Sequence, residues 1–131
     1  MIRLRKLAAD QAGTSAVEFA VSVPVLVMLI WGIAQIGLLY EANAGMQHAL
    51  GEGARLATIY PTPTDTAIQN KITSAKFGLG NGTWGTPTIT TNATAKTKTI
   101  TVTYSQPTDF LFVPGPNVSL SASKVVYLSA D

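Results

Sequence analysis

The chain has 131 residues, of which 47% are hydrophobic and only 12% charged, with a mean hydropathy of +0.27. This balance is too apolar for an ordinary small soluble domain, so we expect part of the chain to lie in lipid or against a partner. The net charge is +2, and the basic residues are scattered along the sequence except for Arg3, Arg5 and Lys6. This distribution argues against a nucleic-acid surface. The absence of cysteine excludes disulfides, thiolate metal sites and cysteine nucleophiles.

An uncharged run near the N-terminus holds most of the apolar excess. Residues 19–40 read FAVSVPVLVMLIWGIAQIGLLY, and a helix of this length, rising about 1.5 Å per residue, spans roughly 33 Å and crosses a bilayer. Arg3, Arg5 and Lys6 precede the run. The positive-inside rule therefore predicts a cytoplasmic N-terminus, a single transmembrane helix and an exported chain after Tyr40.

Two ordinary interpretations of this segment leave something unexplained. A secretory signal peptide would use the A-x-A site at residues 42–44, but its apolar region should have only about 7–15 residues. A plain signal anchor fits the length and the flanking charges. It gives no role to Glu18, although a charged acidic side chain inside a bilayer costs about 2.5–3.5 kcal/mol.

A third interpretation uses Glu18 together with Gly13. The stretch GTSAVEF, which begins at Gly13, resembles the type IV prepilin processing site, in which a short basic leader ends in glycine and glutamate is the fifth mature residue. The leader would be residues 1–13, and cleavage would create a new amine at Thr14, about one helical turn from Glu18. The two charges would then neutralise each other and set the register of packed subunits, with Phe19 beside them.

Further positions resemble the TadE-like family, the minor pseudopilins of the tight-adherence (Flp pilus) apparatus. They are the stretch SAVEFA from Ser15 onward, Pro24, Gly32 and the pair Ala54-Arg55. The resemblance implies a bacterial inner-membrane protein with a periplasmic or extracellular C-terminal domain, cleaved after Gly13 by a prepilin peptidase. It also implies other pilins or pseudopilins and pilus assembly proteins as partners. It leaves open the choice between TadE-like and TadF-like proteins. It also leaves open whether the protein is incorporated in the pilus, lies at its base or only primes assembly.

The helical pattern continues beyond the membrane. Apolar and small residues at three- and four-residue spacing predict one helix over residues 14–59, ending before Pro61. The stripe comprises Ala42, Met46, Ala49, Leu50, Gly53, Ala57 and Tyr60. On the opposite face, His48, Glu52 and Arg55 are expected to form a solvated surface with a Glu52 to Arg55 ion pair rather than a metal or catalytic site.

Residues 60–131 are predicted to form a small exported domain. A short helix is expected over residues 66–77, capped by Asp65 and ended by Gly78. The glycine-rich residues 78–85 are expected to be a surface loop, because they lack the ending of a phosphate-binding loop.

Alternating residues predict three strands in the remainder of this domain. These strands cover residues 88–92, 98–105 and 118–128. Residues 92–96 would turn the first two strands into a hairpin. Lys124 interrupts the apolar face of the third strand, which predicts a bulge or an edge, and the apolar residues 110–113 would pack in the core or contact another subunit. The expected fold is a pilin-like α+β structure with a long N-terminal helix, a short second helix and a three-stranded antiparallel sheet.

Three functions follow from these patterns. The leading hypothesis is a structural and assembly role in a pilus, with no catalytic residues, metal or cofactor, because the single histidine has no evident partner and the acidic residues show no paired spacing in the exported domain. The second is a signal-anchored binding or adhesion module that displays the threonine-rich strands. The third is an ordinary anchored protein, or a secreted one cleaved after Ala44.

Overall fold

A computed structural model describes residues 11–78, 80–109, 111 and 113–128, with the side chains of residues 11 and 12 left aside. In chain order the elements are helix α1 (Gln11–Ala57), helix α2 (Asp65–Ser74) and strands β1 (Thr83–Trp84), β2 (Thr88–Asn92), β3 (Thr97–Asp109) and β4 (Pro114–Tyr127). The predicted α+β class is confirmed. Arg3, Arg5 and Lys6 lie outside the described residues, as do Phe110 and Phe112 of the predicted apolar patch.

Helix α1 is continuous through the predicted membrane segment and beyond it. It is described from Gln11, slightly before the predicted start, and ends at Ala57, slightly before the predicted end. Pro24 lies inside the helix without ending it. Proline supplies no N–H to the ladder, so one carbonyl of the preceding turn loses its helical donor. Nearby, the Ser22 hydroxyl donates to the Glu18 carbonyl at 2.7 Å.

The two halves of α1 differ in their surroundings. In the first half, most large apolar side chains from Val17 to Tyr40 are exposed. In the second half, one face is buried by the rest of the chain and comprises Ala42, Met46, Ala49, Leu50, Ala54 and Ala57. The predicted apolar stripe is confirmed except at Tyr60, which is 65% exposed because it lies past the end of the helix.

Helix α2 begins with a different cap from the one predicted. Thr64 is the N-cap, and its hydroxyl accepts a hydrogen bond from the Ala67 N–H at 3.2 Å. The prediction that Asp65 caps the helix was wrong by one residue, because the threonine hydroxyl already accepts this N–H. Asp65 instead accepts from the buried Lys98 ammonium at 2.5 Å, joining α2 to β3.

The end of α2 also precedes its predicted position. The helix ends at Ser74, with Ala75 as its C-cap rather than Gly78. Gly78 has a φ of +69° and passes close to the backbone of α1, where a Cβ would lie 2.7 Å from the Glu41 carbonyl oxygen. The glycine is therefore needed for a close approach between segments rather than as a helix terminator.

Within the described residues the sheet has four strands, one more than predicted. The central strand β3 pairs along one edge with β1 and β2 and along the other edge with β4, and all pairs are antiparallel. The extra strand, β1, pairs Thr83 with Ser105 and Trp84 with Tyr104, inside the stretch predicted to be a surface loop. A two-residue strand is too short to show alternation, which is why the pattern missed it.

The predicted hairpin and the predicted edge are both present. Asn92 pairs with Thr97 across the turn, and the Asn92 side chain accepts from the Ala95 N–H at 3.0 Å. Among the described residues β4 pairs only with β3, so it is an edge strand, and Lys124 on it is exposed. The irregularity in pairing lies between Pro107 and Asp109 rather than at Lys124.

The core lies between the second half of α1, helix α2 and the central strand β3. Its largest fully buried apolar side chains are Met46, Leu50, Ile68, Ile72, Ile100, Val102 and Tyr104. Each side chain of this size contributes about 1.5–3 kcal/mol when it leaves water. This burial holds the sheet against α1 and fixes the position of the sheet along the helix axis.

Candidate functional site

The predicted processing residues lie together on the first turns of the described helix. Gly13, Thr14 and Glu18 are all exposed, and the Phe19 side chain is 72% exposed. Thr14 and Glu18 are four residues apart, so they lie on one face of α1 about one turn from each other. Within this chain the described part of the predicted site is therefore exposed, and about one helical turn separates Thr14 from Glu18.

Gly13 itself has open space around it. A Cβ placed there would meet nothing within 4 Å, so packing within this chain does not require glycine at this position. Glycine is about 1 kcal/mol less favourable than alanine inside a helix, which lowers the cost of unwinding this turn. A protease that binds its substrate in an extended form would benefit from that weakness.

The small residues of α1 fall into two groups. Cβ atoms at Gly32, Gly37 or Gly51 would meet nothing within 4 Å, so these positions are open to other molecules. A Cβ at Gly45 would collide with the backbone of Phe77, and one at Gly53 would collide with the side chain of Ile72. Only the first group is therefore available for close packing against helices of other chains.

Three polar side chains join the apolar half of α1 to the end of β3. The Trp31 indole N–H donates to the Asp109 carboxylate at 2.6 Å. The Gln35 side chain donates to the Asp109 carbonyl and accepts from the Asp109 N–H at 3.1 Å. Both helix residues lie within the predicted membrane segment, so the sheet flanks the last part of that segment.

The contact between α1 and Asp109 was not predicted from the sequence. The partners are 74 and 78 residues apart in the chain, and no local pattern indicates such a pairing. The available signal was the presence of polar Gln35 inside an otherwise apolar run. A buried or lipid-facing amide needs a hydrogen-bond partner, and that requirement could have pointed to a contact with the exported domain.

An apolar groove of about 420 Å³ lies beside this contact, between α1 and the hairpin formed by β3 and β4. The helix side includes Met28, Leu29, Ile33 and Ile36, and the hairpin side includes Pro116 and Val118. The groove is therefore continuous with the exposed apolar surface of the helix.

The polar face of α1 forms the predicted ion pair and one more. The Arg55 guanidinium lies 3.3 Å from the Glu52 carboxylate, and the Lys71 ammonium of α2 lies 3.1 Å from the same carboxylate. The hydrogen bonds from Lys71 and then from Arg55 hold the pKa of Glu52 below its ordinary value.

His48, on the same face of α1, packs against Phe77, with ring centroids 5.5 Å apart. In the described parts of the chain, no group of three or more His, Asp or Glu side chains could hold a metal.

The fold defines an α+β protein with one exposed apolar helix long enough to cross a membrane, the single such helix among the described residues. A family model described as TadE-like protein matches residues 13–55, which confirms the resemblance seen in the sequence. The matched region lies within α1 and begins at Gly13. Neither a curated protein nor a solved structure matches the chain.

Proposed function

We propose that the chain is a membrane-anchored pseudopilin, a structural and assembly component of a tight-adherence pilus or secretion apparatus, with no catalytic activity. The observation that carries this proposal is the TadE-like match, which begins at Gly13 and includes Glu18. The exposed apolar half of α1 supports it, because that surface has no partner within the chain sufficient to cover it. Such a surface needs lipid or other helices around it.

The function follows from the properties of α1. The N-terminus stays on the cytoplasmic side of the bacterial inner membrane, and a prepilin peptidase cuts after Gly13. The new amine of Thr14 pairs with Glu18, which removes the cost of an isolated charge in an apolar setting. Other pilins or pseudopilins then pack against the exposed apolar surface of the first half of α1, while the exported domain stays attached to the second half of the helix.

The test is the intact mass and N-terminal sequence of the full chain recovered from membranes of a host that contains a prepilin peptidase. We expect the wild-type protein to begin at Thr14 and the Gly13→Leu variant to remain uncleaved. Gly37→Leu is the matched control, because it makes the same change at another open position of the same helix. It should be cleaved like the wild type.

Two other outcomes would contradict the proposal. A start at Met1 in all three proteins would indicate an ordinary signal anchor, and the adhesion module would then become the leading function. A start at Gly45 in all three would indicate a signal peptide cleaved after Ala44 and a secreted domain.

A further inference from the structure

Strand β3 runs along α1 toward the N-terminus of the helix. Leu38 and Gln106 line one small cavity, and Trp31 and Asp109 meet at its other end. From Leu38 to Trp31 the helix rises about 10 Å over seven residues, and from Gln106 to Asp109 the strand advances about 10 Å over three residues. The two elements therefore run side by side over this distance. The described tip residues Leu111 and Val113, which follow Asp109, therefore lie toward the exposed apolar half of the helix.

The contact between Trp31 and Asp109 marks a boundary between polar and apolar surroundings. A carboxylate is unfavourable inside hydrocarbon, and tryptophan prefers the level of the lipid headgroups, where its ring is covered and its N–H is bonded. Asp109 is exposed, and the Trp31 side chain is 39% exposed. In an anchored chain this pair belongs at the outer surface of the bilayer, whereas the predicted membrane segment extends on to Tyr40.

The described residues of the tip are apolar and exposed. Leu111 is 42% exposed and Val113 is 59% exposed. The apolar groove between the hairpin and α1 opens on the same side and is continuous with the membrane-facing helix surface. These features fit a surface that meets the membrane rather than water.

We infer that the tip of the hairpin between β3 and β4 inserts Leu111 and Val113 into the outer leaflet, so that phospholipid covers the tip and the mouth of the groove. The inference rests on the membrane anchoring in the proposed function and deepens it. The helix then leaves the hydrocarbon near Trp31 rather than near Tyr40. A span of about 20 residues ending there starts close to the beginning of the described helix.

The chain contains no cysteine, so single cysteines can carry an environment-sensitive fluorophore. The full chain is placed in phosphatidylcholine vesicles at low protein density, with lipids that carry a spin-label quencher either near the headgroup or near the end of the acyl chain. Val113→Cys tests the tip. Val125→Cys, on the same hairpin and similarly exposed at 55%, is the matched control, and Val25→Cys reports whether the helix is in the membrane.

We expect the shallow quencher to remove most of the fluorescence at position 113 and little at position 125, with the deep quencher acting at position 25. Quenching at position 25 but not at position 113 would overturn the inference and leave the anchoring intact. No quenching at position 25 would overturn both. The fluorophore at position 113 could instead report an apolar environment that appears only at high protein density and is not quenched by the labelled lipids. That result would assign the tip to a protein partner and would also overturn the inference.

Discussion

At the scale of single residues, two glycines on α1 have opposite roles although they are close neighbours. Gly51 faces open space, whereas a Cβ at Gly53 would lie 2.8 Å from Ile72 Cδ1 of α2 and still closer to Cγ1. The predicted apolar stripe includes Gly53 and not Gly51, so the spacing indicated which of the two faces the core. It did not indicate that Ile72 of α2 would lie against Gly53, because that contact joins distant parts of the chain.

This difference predicts opposite effects of the same substitution. Gly53→Ala should lower the free energy of unfolding by about 1–3 kcal/mol, because it overpacks the contact between the helices. Gly51→Ala should raise it by roughly 0.5–1 kcal/mol, because alanine favours the helix and nothing stands in its way. Denaturant unfolding of the full chain in detergent, followed by circular dichroism, measures both. Changes of the same sign would contradict the described packing.

At the scale of elements, the ion pair between Glu52 of α1 and Lys71 of α2 joins the two helices across their exposed side. Because these bonds lower the pKa of Glu52 in the folded protein, the pair stabilises the fold above the ordinary glutamate pKa. That contribution is lost as the pH falls through the lowered folded-state value, because the carboxylate is then protonated in both states.

We therefore expect Glu52→Gln to lower the melting temperature at pH 7 and to leave it close to that of the wild type at pH 3. The effect should be small and should shrink in high salt, because the pair is exposed. Arg55→Gln is the control, since it keeps the bridge between the helices and removes only the partner within α1. It should have the smaller effect at pH 7. An equal loss at both pH values for Glu52→Gln would assign the change to packing instead.

The elements that the sequence predicted well are those with a long or regular pattern. The 3.6-residue stripe of α1 and the alternation in β3 each repeat over several turns or residues, so single exceptions do not hide them. Strand β1 and the cap at Thr64 depend on one or two residues and were missed or misplaced. The polar contact of Trp31 and Gln35 with Asp109 could not be read from local patterns, because it joins distant parts of the chain.

At the scale of the whole molecule, α1 carries two separate functions along its length. The second half is a scaffold for the C-terminal domain, and in the proposed function the exposed first half, with Glu18, contacts lipid and other subunits. About 13 residues, or roughly 20 Å of helix, separate Glu18 from Trp31. If the helix leaves the membrane near Trp31, Glu18 lies within the apolar layer, where its pairing with the Thr14 amine matters most.

We expect Glu18→Gln to be cleaved after Gly13 like the wild type but to be depleted from the assembled pilus fraction sheared from cells. The physical reason is that the variant leaves the new amine of Thr14 without its carboxylate partner. Glu41→Gln, an exposed glutamate at the other end of the apolar segment, should be recovered like the wild type. Recovery of Glu18→Gln in the pilus fraction at the wild-type level would contradict the proposal that Glu18 neutralises the Thr14 amine.

The outer edge of β4 has a consequence for how copies of this protein meet. Among the described residues, β4 pairs with β3 along one edge and leaves its other edge open over 14 residues, where another strand could add and start aggregation. This strand carries Pro114 and Pro116, which have no N–H to donate, and the exposed charge of Lys124. The two prolines and the lysine charge therefore disfavour pairing of β4 with a strand of another copy. The edge of the sheet is thereby a poor template for amyloid-like strand addition between copies of this chain.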